Sequence, residues 1–506
     1  MLGYFETILC IFVPSLLKLK SMADSRTASL KLMSHIQKVV DVQSRVIYFL
    51  LSVILSFALT YTLYEPAMDQ AQIYVLFLLF LSIGLWVTEA IPPFAVGLLV
   101  FGFLIFAMNS YYSQIDPLNV QSHYIGYINS WSSSVIWLML GGFFMAEAMS
   151  KTKLDREVFR ISISRFGTLP KFVLLGLMLT TALFSMIMSN TATTAMMIAS
   201  VLPFINTLDK DAPFSKAILI GIAGSASLGG MGTLIGSPPN AIAVEALNNN
   251  GIDIGFLEWM IVGFPIAIIL TLLFWLILTK KYIPGKKRIV IELEEESDDK
   301  NDTNYKFNRI KKRIVLAVLS ITLLLWLTEK LHGIPASVVS LLPIILLTMT
   351  GIINGDDVRK LPWDTLMLVA GGLALGLAIK ETGLASFYVE KIQQYDLNFF
   401  ALVIAFGFLT VVMSNIMSNT ATATILIPIS IILTFNDPVV LPLVIGLCAS
   451  TALFLPISTP PNAIAYSTDK LEQKDFRFGG IFIGMIGPLI ITAIVMLIFM
   501  ILYNVY

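Results

Sequence analysis

The chain has 506 residues, of which 57% are hydrophobic and 13% charged, against about 45–50% and about 25% in an average soluble domain. With a mean hydropathy of +0.83, it reads as an all-α polytopic membrane protein, which excludes a water-soluble globule. Lys+Arg and Asp+Glu both number 33, so no net field draws a polyanion, and nucleic acid is not expected as a partner. Cys10 and Cys448 cannot make a disulfide scaffold. His35, His123 and His332 are too scattered to suggest a multi-histidine metal or haem site.

Residues 1–45 form an N-terminal segment. Within it, 2–17 is mostly apolar but has no basic n-region and no small-residue cleavage site, so a peripheral or amphipathic leader is expected rather than a signal peptide. A crossing helix needs about 20 mostly apolar residues. Such runs fall at 46–64, 72–90, 91–108, 131–150, 217–247, 257–280, 313–331, 335–351, 363–380, 439–468 and 479–503. Two further apolar stretches, 172–208 and 398–435, hold no charged residue.

Lys and Arg in short loops stay cytoplasmic. Basic clusters at 18–45, 151–171 and 281–312 therefore face inward, while 65–71, 109–130 and 248–256, free of Lys and Arg, face outward. Eleven crossings meet every assignment, with the N-terminus inside and the C-terminus outside. The acidic stretch 291–305 reads as a solvated cytoplasmic linker.

The chain repeats itself after this linker. LWVTEAIP (85–92) returns as LWLTEKLHGIP (325–335), LMLGG (138–142) as LMLVAGG (366–372), MSNTATTAMM (188–197) as MSNTATATIL (417–426), and GSPPNAIA (236–243) as STPPNAIA (458–465). The first copy begins outside near residue 72 and the second inside near 313, so the repeat is inverted. Inverted repeats are a transporter architecture, with the binding site near the midplane where the halves meet.

The stretch 172–208 is 37 residues long with Asn190 at its centre. Each arm of about 16–17 residues makes about 25 Å of helix, short of a hydrocarbon layer of about 30 Å. A re-entrant hairpin is expected there, with Ser189, Asn190 and Thr191 at its tip. A second one is expected at 398–435 around Ser418, Asn419 and Thr420. The segments 217–247 and 439–468 are expected to be helices broken at Gly236-Ser237-Pro238-Pro239-Asn240 and Ser458-Thr459-Pro460-Pro461-Asn462, because proline removes a helix donor. Unwound backbone at membrane depth lines a cavity or is buried in protein. Its free carbonyls and hydroxyls suit a small alkali cation, and its helix N-termini attract carboxylates. Ser185 lies four residues before Ser189, and Ser414 four before Ser418, so each pair shares a helix face. The segments 172–208, 217–244, 398–435 and 439–468 contain no Lys, Arg or His. A dianion bound there needs positive charge from elsewhere, and bound cations are the obvious source. Glu89 and Glu329, near Trp86 and Trp326, are read as interface anchors, and the seven Trp and sixteen Tyr mostly as belt and packing residues.

These motifs resemble the divalent anion:sodium symporter family of dicarboxylate and citrate carriers. The carrying residues are Ser189-Asn190-Thr191, Ser418-Asn419-Thr420, GTLIGSPPNAIA at 232–243 and PISTPPNAIA at 456–465. The resemblance spans roughly 46–503. It implies a homodimer of elevator type, with scaffold parts at 46–171 and 313–397 and transport parts at 172–280 and 398–506, around the linker 281–312. It implies a first sodium site of Ser185, Ser189, Asn190 and the Gly236 carbonyl. A second would use Ser414, Asn419, Ser458 and the Met417 carbonyl. Substrate would meet Ser189, Asn190, Thr191, Ser237, Ser418, Asn419, Thr420, Thr459 and Pro460.

The expected function is sodium-coupled symport of a C4-dicarboxylate such as succinate, fumarate or malate across the plasma membrane, with Na+ as coupling ion and no organic cofactor. The rivals are a sodium-independent dicarboxylate exchanger and a citrate or sulfate carrier on the same fold. An anion channel is disfavoured by the inverted repeat, and an enzyme by the lack of any nucleophile–base or metal-ligand cluster in the apolar segments.

Overall fold

The computed structural model describes residues 26–117, 120–163, 166, 168–208, 212–283, 303–392, 398–433 and 439–503. The expected leader at 2–17, Cys10 and the acidic linker 291–305 lie outside the described residues. Every regular element among the described residues is helical, as an apolar medium requires of a backbone that must satisfy its own hydrogen bonds. Among the described residues, eight helices are long and apolar enough to cross a membrane by length and composition. Their outer faces carry bare apolar side chains, among them Ile54, Phe106, Val412 and Leu497, a surface suited to acyl chains rather than water.

Most expected crossings coincide with one helix: Gln70–Thr88, Pro93–Ile115, Ser134–Lys151, Phe256–Tyr282, Trp363–Glu381 and Gln473–Tyr503. The first begins far earlier than expected, in Arg26–Leu63. Three other differences have local causes or modest scope. The segment expected at 313–331 is Thr303–Leu327 followed by the short helix Glu329–His332. The one expected at 335–351 divides at Ser340 into Ala336–Val339 and Leu341–Met349, because Pro343 cannot donate to the preceding turn. A helix at Val120–Asn129 occupies the segment read as an outer loop.

The two copies share a local device. Trp86 Nε1 donates to Pro93 O at 3.2 Å and Trp326 Nε1 to Ala336 O at 2.9 Å, so each indole ties its helix end to the residue after the repeated proline. Both rings are buried and are core residues, not interfacial belt.

Polar ties divide into two sets. Lys151–Asp357, Lys216–Asp475 (2.9 Å) and Lys312–Glu157 (2.9 Å) join segments that charge and crossing count put on one side. Lys330–Glu258, Lys380 to Asn249 O, Gln72 Nε2 to Thr382 O (3.1 Å) and Tyr388 Oη to Leu63 O (3.2 Å) join segments assigned to the other. Each tie therefore agrees with the eleven-crossing reading.

Helices Pro93–Ile115 and Trp363–Glu381 cross at bare backbone, where a Cβ on Gly371 would lie 2.3 Å from Gly97 Cα. Gly371→Ala should therefore lower the unfolding temperature of the detergent-purified protein through overpacking of about 1–3 kcal/mol. Gly102→Ala, in the same helix as Gly97 but with nothing within 4 Å of the added methyl, should leave stability unchanged or raise it.

Burial opposes ionisation of Asp357, but the Lys151 ammonium and the Asn354 backbone N–H outweigh it and hold the carboxyl below its usual range. A depressed folded value stabilises above the unfolded pKa and is lost as pH falls through the folded one. Lys151→Met should therefore lower the unfolding temperature at neutral pH and weaken its decline at acid pH.

Candidate cation and anion site

The charge-free stretches fold as helix pairs. In the first, Pro170–Ser185 (16 residues) turns at 186–189 into Asn190–Asn206 (17 residues). In the second, Phe399–Ile416 (18 residues) turns at 417–418 into Asn419–Leu433 (15 residues). The second pair is thus less even than the expected arms, and its 18-residue arm is among the helices long enough to cross. Both tips are built alike. Ser189 Oγ accepts the Ala192 N–H at 3.2 Å and Ser418 Oγ the Ala421 N–H at 3.2 Å, the bond that makes serine a good N-cap. Asn190 and Thr191, and likewise Asn419 and Thr420, then open a helix whose first amides have no partner within the helix.

The broken helices resume at the expected prolines but stop earlier than expected, leaving 231–237 and 452–459 unwound in place of 236–240 and 458–462. Pro213–Gly230 restarts as Pro238–Asn248. Val440–Cys448, extended by the turn Ala449–Thr451, restarts as Pro460–Tyr466. The repeats interlock, since Asn190–Asn206 packs on Pro460–Tyr466, and Asn419–Leu433 packs on Pro238–Asn248.

Two residues that sequence reasoning passed over hold these breaks open. Asn240 Nδ2 donates to Gly230 O at 2.8 Å and Thr233 O at 2.7 Å. Asn462 Nδ2 donates to Leu453 O at 3.3 Å and Leu455 O at 2.9 Å. Each side chain replaces helical donors that the unwound backbone has lost. Their signal was the Asn in both PPNAIA runs, read only as part of a break.

At the first tip, Ser185 Oγ donates to Ala226 O at 2.6 Å. In the orientation that satisfies its amide, Asn190 donates to Ser185 Oγ, Ala226 O and Gly236 O at 2.5, 3.1 and 3.2 Å. Those three oxygens surround the Asn190 amide nitrogen, so in this arrangement the protein's own N–H groups satisfy the acceptors that a small cation would otherwise take. A Cβ on Gly236 would fall 2.5 Å from Gly230 O and 3.0 Å from Ser185 O, so only glycine fits there. Of the expected first set, the structure brings together Ser185, Asn190 and Gly236, while Ser189 acts as the cap.

At the second tip, Ser414 Oγ and Asn419 Oδ1 are buried without a hydrogen-bond partner, as is Ser450 Oγ of the broken helix. A cation would satisfy such oxygens, and buried hydroxyls of the first repeat, Thr193 Oγ1 and Ser225 Oγ, are without a partner as well. Met417 is extended, with φ −125° and ψ 177°, which turns its carbonyl out of the helical direction. Ser458 is occupied differently: its hydroxyl donates to Asn415 Oδ1 at 2.8 Å and accepts the Leu455 N–H at 2.9 Å. Asn415 is a third residue that the sequence reading did not single out.

Among the expected anion contacts, Ser237 and Thr459 are buried, Thr191 and Pro460 exposed. Thr459 Oγ1 caps its own helix through the Asn462 N–H at 3.3 Å, and Ser237 makes no capping bond. Glu329 accepts the Ala336 N–H at 3.2 Å, a structural role at a helix end. A cavity of about 400 Å³ lies between Ser134, Leu234, Asp253 and Lys330 and is lined by none of the expected binding residues.

A family model described as citrate transporter matches residues 83–437. The sodium-dependent dicarboxylate transporter SdcS of Staphylococcus aureus, strain USA300, is 30% identical over 481 residues, covering 87% of this chain and 89% of that protein. The same transporter of strain NCTC 8325 matches to the same extent, at 30% identity. Among solved structures, the fold is similar to the YdaH transporter of Alcanivorax borkumensis, with a TM-score of 0.53 and 10% identity over 79% of this chain and 97% of that one. It is also similar to MtrF of Neisseria gonorrhoeae, with a TM-score of 0.52 and 11% identity over 82% of this chain and 96% of that one. At such identities the likeness concerns the fold alone.

Asn240→Ala and Asn462→Ala should each strand two buried carbonyls and destabilise the protein by about 1–3 kcal/mol. Thermal unfolding in detergent checks this, and unchanged midpoints would deny the two amides their role.

Proposed function

The chain belongs to the citrate transporter family of multi-pass membrane proteins, and from that premise we propose sodium-coupled symport of a C4-dicarboxylate such as succinate, fumarate or malate. The protein moves its substrate unaltered and is a transporter, not an enzyme. The observation that carries the reading is the pair of oxygen-rich tips in segments that hold no Lys, Arg or His. The homology to SdcS, whose printed name specifies sodium and dicarboxylate, supports the same reading.

Sodium binds at Ser185, Asn190 and the Gly236 carbonyl, with Ser189 beside them, and at Ser414, Asn419, Ser458 and the Met417 carbonyl. Binding of the ions supplies the positive charge that a dianion needs on leaving water and holds the tips in order. The carboxylates then meet the open amides and side chains of the four resumed helices, at Asn190, Thr191, Ser237, Asn419, Thr420 and Thr459, with Ser189, Ser418 and Pro460 completing the walls. Each helix N-terminus carries roughly half a positive charge. The two helix pairs enter and leave the membrane as re-entrant hairpins. Together with the broken helices they form a transport body that moves against a scaffold of 46–171 and 313–397. The chain acts as a homodimer in the plasma membrane, with its N-terminus cytoplasmic and its C-terminus outside. Citrate is the second substrate reading, favoured by the description of the matching family model.

Labelled succinate uptake into proteoliposomes tests the proposal. Inward sodium gradients should drive accumulation in empty vesicles, and potassium should not replace sodium. Uptake that ignores sodium and needs internal dicarboxylate would make the protein an exchanger. Asn190→Ala and Asn419→Ala should each abolish uptake, because each amide serves a cation and the substrate. Normal sodium-dependent uptake by either variant would contradict the assignment.

A further inference from the structure

The two repeats tie hairpin to broken helix by different chemistry. In the first, the Thr233 hydroxyl donates to Met186 O, and Thr233 Oγ1 accepts the Gly236 N–H at 3.1 Å. Placing Asn419 on Asn190 and Ser458 on Gly236, as the repeated motifs do, puts Asn415 on Met186 and Leu455 on Thr233. Leucine cannot make the bridge. Asn415 makes it instead: its Oδ1 accepts from Phe454 N–H at 2.9 Å and Ser458 Oγ at 2.8 Å, and its Nδ2 donates to Val411 O at 2.8 Å. The amide orientation follows from these partners, since two donors face the oxygen and a carbonyl faces the nitrogen. Three positions thus change together, from Met186, Thr233 and Gly236 to Asn415, Leu455 and Ser458.

We propose that Asn415 is a positioning residue for the second cation site, acting through the Ser458 hydroxyl. A serine hydroxyl has one hydrogen and two lone pairs. The hydrogen goes to Asn415 and one lone pair takes the Leu455 N–H at 2.9 Å, so a single lone pair remains, in a direction set by the other two bonds. Without Asn415 the hydroxyl would rotate freely and could turn its hydrogen toward an approaching cation. The first repeat has no such need, because its ligand at this position is the carbonyl of a glycine. In the first repeat Thr233 steadies the Gly236 amide, whereas in the second Asn415 sets the direction of a ligand hydroxyl. This inference rests on the sodium reading above.

The test uses the purified full chain in detergent and follows the rise of unfolding temperature with sodium chloride, against choline chloride at equal ionic strength. Loss of a group that orients a metal ligand commonly costs about 10–100-fold in affinity. Asn415→Met and Ser458→Gly should each raise the half-saturating sodium concentration by that order, and the double variant should be no worse than the weaker single. Asn415→Asp, which keeps the acceptor oxygen, should respond at or below the wild-type concentration, and it serves if Asn415→Met does not fold. A wild-type sodium response retained in Asn415→Met, multiplied losses in the double variant, or a loss in Asn415→Asp would overturn the positioning role alone. A wild-type protein whose unfolding ignores sodium would overturn the sodium reading together with it.

Discussion

The structure turns on one electrostatic constraint. The four segments that form the tips and breaks contain no cationic side chain, and a doubly charged anion cannot leave water uncompensated. Only mobile cations and backbone dipoles remain as sources of positive potential. Both demand oxygens and N–H groups freed from helical bonding, and such groups survive at membrane depth only inside protein or beside water. The sequence repeat meets this need twice over, because each helix pair packs on the broken helix of the other half and encloses the opened backbone.

Opening a helix in this setting has a cost that the fold offsets with amides. Asn240 and Asn462 take up carbonyls on either side of each break. Ser189, Ser418 and Thr459 close the starts of the resumed helices. What these residues leave over differs between the halves. The first tip has its oxygens gathered around the Asn190 amide, whereas the second keeps Ser414 Oγ and Asn419 Oδ1 without partners. Two clusters related by sequence thus differ in how far the protein alone satisfies them.

Much of the architecture was legible in the sequence because it rests on long-range pattern. Hydropathy located most crossings, and the repeated Ser-Asn-Thr and Pro-Pro-Asn runs located the tips and the points where the broken helices resume, though not their earlier ends at Gly230 and Thr451. Features set by three-dimensional neighbours were not legible. Hydropathy treats Trp86 and Trp326 as candidates for the lipid interface, and only the bonds to Pro93 and Ala336 reveal them as core ties. The split at Ser340 follows from Pro343, a short-range signal overridden in reading by the apolar run around it. Asn415 lies in a stretch read as one arm of a hairpin, and its role becomes visible only once Leu455 and Ser458 are brought against it.

The central claim is that cations supply the charge that the protein withholds. Calorimetric titration of succinate into the purified protein, in sodium and then in potassium at equal ionic strength, tests it most directly. The account predicts binding in sodium, strengthening as sodium is raised, and none measurable in potassium. Equal affinity in both salts would contradict it, since the compensating charge would then have to come from the protein itself.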